Sequence, residues 1–355
     1  MRELKLEMIK IKLHEIEKHR VETTFRPFLF SDVRNLFNDV GIQFITQGND
    51  WDMLWVAHPT FIKKDKHFLF VVETGIRVME RLCEHGDVVM FDGCDSPSLA
   101  GSWDVFKETK AKYLFKNSLY NNLDWYKEPS VLGRYFWGKS ENPDHNYQIN
   151  EELYNVKLSG CNWLNTIHDK RWFNYKQIDK PIDICALFSY PVKENWEWEI
   201  KHSEYYNKFR KPFIDVLLSL KDKYNIKMIE NGQHIPPNEY YQIMRQSKII
   251  LAPFGYGEIA PRDFEAVQFG SILMKPDMSH VNTAPNPYNQ TTYASIKWDA
   301  SDMEETIESI LSDFNAFQDY YTNNFRYEFN QRFSPDKLVL HTYDWISKME
   351  GYGQC

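Results

Sequence analysis

Apolar side chains in this chain fall into short runs that alternate with stretches of helical spacing. Met8 to Leu13 alternates apolar and charged residues, which predicts a first strand. Residues 25–39 carry apolar side chains three and four apart and close at Gly41, a helix pattern; Ile42 to Ile45 reads as the next strand. Trp51 to Ala57 is another apolar run, 70–83 is helical, Asp87 to Phe91 is a strand, 102–110 is helical, and Ala111 to Phe115 is again a strand. From about 121 to 180 the pattern fades into Asn, Tyr, Trp and charge, with Lys157-Leu158 ending one last strand. The alternation resumes at Ile182 to Phe188. A helix over 203–223 follows, with Phe209, Phe213, Val216, Leu217 and Leu220 among its apolar positions. Ile226 to Ile229 is a strand, Pro237 opens a helix through Met244, and Ala294 to Trp298 is a short strand. A helix over 302–313, N-capped by Ser301, leads to a helical stretch over 314–349 broken at Ser334-Pro335. Strands alternating with helices imply an α/β fold with largely parallel sheets.

The faded segment divides the chain. A boundary near 165–180 gives one domain over 1–170 and a second over 171–335, with a final helix in 336–355. The 355 residues exceed one ordinary core, which agrees with two domains.

Composition narrows the class. Hydrophobic content of 43% and aromatic content of 16% describe a packed globular protein rather than a disordered one. A net charge of −8 argues against a broad nucleic-acid footprint, which needs a basic face, while leaving room for a local basic cleft. The five cysteines are scattered, with no zinc spacing, and read as reduced thiols of a cytoplasmic protein. No apolar run approaches the ~20 residues of a membrane span, and the N-terminus has no signal-peptide core. A soluble protein is expected, with peripheral membrane contact left open.

The candidate chemistry concentrates in 247–277, SKIILAPFGYGEIAPRDFEAVQFGSILMKPD. The run Ile249 to Ala252 ends at Pro253, and the turn Gly255-Tyr256-Gly257 follows. Pro261 suits the first turn of a helix, which stops at Gly270 before the run Ser271 to Met274. This is a βαβ unit of a parallel sheet. Ligands bind such sheets beyond the carboxyl ends of the strands, where helix N-termini present free N–H groups.

SKIILAPFGYG, PRDFEAVQFGSILMKPD and IKWDASDMEETIESIL together resemble the C-terminal domain of group-1-like glycosyltransferases of the GT-B fold. The matching residues are Gly255-Tyr256-Gly257, Glu265-Ala266, Gly270 and Ser271 to Met274. Many members carry a glutamate directly before the Gly-aromatic-Gly turn. Here that position is Phe254, and Glu258 follows the turn, seven positions before Glu265. The resemblance implies two Rossmann-like domains facing a cleft, with the donor mainly on the second, the acceptor mainly on the first, and the last helix crossing back. It implies sugar transfer from a nucleotide-sugar donor such as a UDP- or GDP-sugar to a hydroxyl of a carbohydrate or other glycoconjugate. It implies no cofactor and no metal.

Carried over onto this sequence, Glu265 would accept two ribose hydroxyls and Arg262 would hold the donor pyrophosphate. Gly255, Tyr256 and Gly257 would bring backbone to the donor, and Tyr190 and Lys193 would line the same edge. Glu258 would stand in for the missing glutamate near the transferred sugar. His58 and Asp95, each after an apolar run of the first domain, are the candidate bases for an acceptor hydroxyl. Each residue has a plainer alternative. Glu265 could simply complement the helix dipole, and Arg262 could pair with Glu258 or Asp263. Glu258 and Lys275 could be solvated, His58 could shape a turn, and Asp92 and Asp95 could form Asx turns rather than a DxxD metal pair. Three rival functions stay open: a nucleotide-sugar epimerase or phosphorylase on the same scaffold, a sugar-binding protein without catalysis, and a DNA-modifying sugar transferase.

Overall fold

The computed structural model describes residues 8–15, 31–57, 61–64, 67–70, 72–92, 97, 102–116, 118–122, 125, 130–131, 134–135, 156–158, 179–190, 197–229, 235–255, 257–283, 286–333 and 335–348. The first half opens with β1 (Ile9–Glu15), α1 (Ser31–Asp39), β2 (Ile42–Ile45) and β3 (Met53–Ala57). A hairpin of β4 (Phe61–Lys64) and β5 (His67–Phe70) leads to α2 (Val72–Cys83), β6 (Asp87–Asp92), α3 (Ser102–Lys107) and β7 (Tyr113–Lys116). The short strands β8 (Ser118–Tyr120), β9 (Ser130–Val131), β10 (Arg134–Tyr135) and β11 (Val156–Leu158) complete it. Its main sheet has the order β2-β1-β3-β6-β7-β11, with every pairing parallel.

The second half runs β12 (Ile182–Ala186), α4 (Glu197–Ser219), β13 (Ile226–Met228), α5 (Pro237–Arg245), β14 (Ser247–Leu251) and α6 (Pro261–Gln268). It continues with β15 (Ile272–Pro276), β16 (Val281–Thr283), β17 (Ala294–Ile296), α7 (Met303–Ser312), α8 (Phe314–Phe333) and α9 (Pro335–Lys348). Its sheet, β13-β12-β14-β15-β17, is also wholly parallel. Both sheets therefore wind alike, the second strand outside the first and the later strands on the other side. The winding reverses between β1 and β3 and between β12 and β14, the points where such sheets open a crevice. The fold is α/β, as the alternation of elements predicts, with the two Rossmann-like units that the resemblance implies.

Side-chain alternation explains the layers. In β6, Val88 and Met90 enter one core while Val89 and Phe91 enter another. In β12, Ile184 and Ala186 face the core under α4 and α7, and Cys185 faces the opposite side. Strands buried on both faces need continuous apolar runs, and these have them. The core containing Phe91, Cys185 and Phe264 also takes in Phe325, Val339 and Ile346, so apolar packing runs from the sheets into the last helices. The final helix α9 packs against α1, returning to the first half as the resemblance implies.

A second link between the halves was not legible in sequence. β16 pairs antiparallel with β8, Val281 opposite Tyr120 and Thr283 opposite Ser118. Three-residue strands far apart in the chain leave no periodic signature. One cap also differs from expectation. The residue before α7 is Asp302 rather than Ser301, and its Oδ1 accepts the Lys297 N–H at 2.8 Å. Among the described residues no helix is long and apolar enough to cross a membrane.

Candidate functional site

The reversal between β12 and β14 leaves two backbone segments side by side beyond the strand ends. These are Leu187 to Tyr190 after β12 and Ala252 to Gly255 after β14. The turn closes where the Gly255 N–H donates to the Gly257 carbonyl at 3.1 Å. Arg210 of α4 spans the gap. Its Nη1 donates to the Ser189 carbonyl at 2.8 Å, and its Nε and Nη2 donate to the Phe254 carbonyl at 3.3 and 3.2 Å. The guanidinium lies 5.6 Å from the Phe188 ring centroid. A half-buried cation at a switch-point crevice is a ready anion contact, and sequence reading missed it. Finding it requires the strand order, which a single sequence does not display.

Helix α6 starts at Pro261 behind the N-cap Ala260, where a missing N–H costs nothing. It ends at Gly270, whose φ of +66° is the left-handed conformation glycine adopts freely. The Asp263 carboxylate accepts the Ala260 N–H at 3.2 Å and the Tyr288 hydroxyl at 2.7 Å. Lys275 of β15 sits 3.1 Å from the same carboxylate and donates to the Ala252 carbonyl at 3.3 Å. Lys275 and Asp263 are both fully buried, so Lys275 is neither an exposed lysine nor a free phosphate contact. Burial pulls its ammonium down from the usual range, against the opposing pull of Asp263. The pair ties the end of β14, strand β15 and the start of α6 into one rigid unit.

On that unit stand Arg262 and Glu265. The Arg262 Nη2 donates to the Leu187 carbonyl at 2.7 Å, joining α6 to the segment after β12. Its alternative partners go elsewhere: Asp263 to Lys275, and Glu258 to the neighbourhood of His280. Glu265 accepts the Tyr240 hydroxyl from α5 at 2.6 Å. Burial pushes the Glu265 carboxyl up, offset in part by Tyr240 and the Arg262 charge. Burial likewise holds the Tyr240 phenol above its ordinary range. The two arginines and Glu265 thus flank one crevice, with cations able to meet phosphates and a carboxylate able to accept hydroxyls. Tyr190 lies half-buried at the same edge, packed against the core under α4.

Glu258 corrects the reading of a solvated loop carboxylate. It is fully buried, with Oε1 3.6 Å from the His280 Nε2. Phe254, directly before the Gly255–Gly257 turn, is a core residue. Its ring stacks on Phe209 at 5.6 Å and meets Trp298 edge-on at 4.9 Å. Asp92 is buried, with its carboxylate 2.7 Å from the ammonium of Lys116 in β7. His58, Asp95, Lys193 and Tyr256 lie outside the described residues.

No protein-family model matches the chain, and no curated protein matches it in sequence. Solved structures do share its outline. A glycosyltransferase from Rickettsia africae ESF-5 is 12% identical, covering 96% of this chain and 97% of its own, with a TM-score of 0.40. Anabaena HepE in complex with UDP-glucose is 9% identical over 96% of this chain and 100% of its own, with a TM-score of 0.44. Sucrose-phosphate synthase from Thermosynechococcus elongatus is 11% identical over 95% and 98%, with a TM-score of 0.47. Likeness at this level transfers neither residues nor activity.

Proposed function

We propose that this protein is a glycosyltransferase of GT-B type that moves a sugar from a nucleotide-sugar donor to a hydroxyl of a carbohydrate or other glycoconjugate. The observation that carries the reading is the convergence of Arg210, Arg262 and Glu265 on the crevice between β12 and β14. In this reading Glu265 accepts the ribose hydroxyls, and Arg210 and Arg262 face the diphosphate. The bond between the sugar's anomeric carbon and the diphosphate oxygen breaks, and a bond to the acceptor oxygen forms. The acceptor's proton leaves with the diphosphate or passes to a base of the first half, for which His58 and Asp95 are the candidates. The arginines neutralise charge building on the leaving diphosphate, the work a metal does in other transferases, so turnover persists in EDTA. Glu258 and the turn Gly255-Tyr256-Gly257 take the transferred sugar, with Tyr190 and Lys193 along the rim. The protein acts in the cytoplasm.

The test is a thermal-shift screen against UDP, GDP, ADP, CMP and dTDP and their sugar conjugates, with Glu265→Ala alongside. A ligand at 100-fold above its Kd adds ~2.7 kcal/mol to the native state. One nucleotide that stabilises the wild type and not the variant supports the reading and names the base. No shift with any of them overturns it.

One observation favours a second reading. Phe254 fills the place of the family's first glutamate with a core aromatic, as a sugar-binding protein without catalysis would tolerate. Binding of a nucleotide sugar without hydrolysis or transfer would decide for that reading.

A further inference from the structure

His280 occupies a box with walls from both halves of the molecule. Tyr120 stacks on it at 6.1 Å and Trp125 lies at 6.1 Å, both from the first half. Phe254 at 5.8 Å and Trp298 at 4.8 Å close the other sides from the second half. The ring is 95% buried, and neither ring nitrogen has a hydrogen-bond partner among the described residues. The backbone pins the residue from the first half as well. The Asn121 N–H donates to the His280 carbonyl at 2.9 Å, the Asn121 amide reaches the Ser279 carbonyl, and β16 then pairs with β8. The buried Glu258 carboxylate lies 3.6 Å from Nε2.

That separation is just beyond a hydrogen bond, and a shift of about half an ångström makes it a charge-assisted one. A buried carboxylate gains from such a donor. The imidazole can point at Glu258 only while Tyr120 and Trp125 fill the opposite sides of the box. If the first half withdraws, two of the four walls go with it and the ring is free to turn away.

We propose that His280 is a positioning residue that couples docking of the two halves to the placement of the Glu258 carboxylate beside the Gly255–Gly257 turn. The inference rests on the proposed transferase reading for its functional meaning, and on geometry alone for the coupling itself. Glu258 takes its working position when the β8–β16 ribbon is formed, so an open molecule holds the donor turn without an aligned carboxylate. A sugar donor bound in the open state is then protected from attack by water, because the side chain that serves the transferred sugar is out of place.

Two measurements test it. Hydrogen exchange of the intact protein is followed in Glu258→Gln, His280→Phe and the double variant. Phenylalanine keeps the box filled and removes only the nitrogen donor. Coupling predicts that Glu258→Gln speeds exchange of the β8 amides and of Asn121 roughly tenfold. It also predicts that the double variant goes no further than either single one. Wild-type exchange in β8 for Glu258→Gln, or additive effects, overturns the proposal. The second measurement is turnover of UDP-glucose and GDP-mannose. Where either donor is used, His280→Phe lowers kcat about tenfold with KM nearly unchanged, the mark of a group acting after binding. A rise in KM alone would overturn the positioning role. If neither donor is used, the transferase reading fails for these sugars, and the exchange data still decide the coupling.

Discussion

The Tyr240 hydroxyl donates to the Glu265 carboxylate at 2.6 Å, so a residue of α5 holds the one acidic side chain that α6 presents to the crevice. This bond and the Arg262 charge lower the carboxyl's pKa while burial raises it, and burial prevails. The native state therefore keeps the Glu265 proton to higher pH than the unfolded chain does. The group's stabilising contribution is full below its ordinary value of 4.5 and is lost as pH rises through the higher native value. Above that native value the charged Glu265 costs stability. Glu265→Gln should raise Tm at pH 7, leave it unchanged near pH 4, and weaken nucleotide-sugar binding. Melting curves across that range, with and without ligand, check both halves of the prediction. A lower Tm at pH 7 would show that the carboxylate is structural.

Lys275 and Asp263 make a different case, because both are fully buried and each is the other's charge partner. Lys275→Met leaves an uncompensated carboxylate at the start of α6 and should cost ~3–5 kcal/mol. Asp263→Asn strands the ammonium and deprives Tyr288 of its charged acceptor, with a loss of similar size. The double variant should be more stable than the sum of the single losses predicts, since it removes both charges together. Urea unfolding of the four proteins gives the coupling directly; additive losses would mean that the pair is not the unit described.

Much of this region was legible in the chain. The runs around β14 and β15, Pro261 at the helix start and Gly270 at its end are local signals, and each fell within a residue or two of its element. Glu265 and Arg262 came with the helix. Glu258 did not, because a glutamate after Gly-aromatic-Gly reads as a loop carboxylate until His280 and Lys275 are brought over it from later in the chain. Arg210 was hidden for the same reason. Its neighbours Phe209 and Phe213 mark the buried face of α4, but only the adjacency of β12 and β14 shows what its guanidinium spans. The β8–β16 ribbon is a tertiary pairing with no local cause.

Lys180 precedes β12 and bonds the carbonyls of Arg245 and Ser247 at 2.9 Å, the carbonyl of Phe269 at 3.0 Å and the Ser271 hydroxyl at 3.0 Å. It gathers the carboxyl ends of α5 and α6, where a cation also meets the helix dipoles. Burial, with Arg245 and Arg326 nearby, pulls its ammonium down to about 7. The unfolded chain therefore binds the extra proton between about pH 7 and its ordinary 10.5, and stability rises with pH across that window. Lys180→Met should flatten this rise and lower stability at every pH through the carbonyls it leaves unbonded. Urea midpoints at pH 7 and pH 9.5 for both proteins test the sign. A wild type that weakens between those values, relative to the variant, would contradict it.

Phe254 stands directly before the Gly255–Gly257 turn, where a glutamate can be introduced by a single substitution. The side chain is 1% exposed, stacked on Phe209 with the rings 6° from parallel, edge-on to Trp298, and 5.3 Å from the Lys275 ammonium. Phe254→Ala should cost ~3–5 kcal/mol as a large-to-small change in a packed site. Phe254→Glu should cost at least as much, since the new carboxylate meets aromatic rings and a lysine already committed to Asp263. Neither variant should gain turnover. If the glutamate variant were as stable as the wild type and turned over donor faster, position 254 would belong to the donor site, and the aromatic packing would be only its resting state. The physical expectation is the reverse: Phe254 is part of the core, and a charge placed there loses packing without gaining a partner.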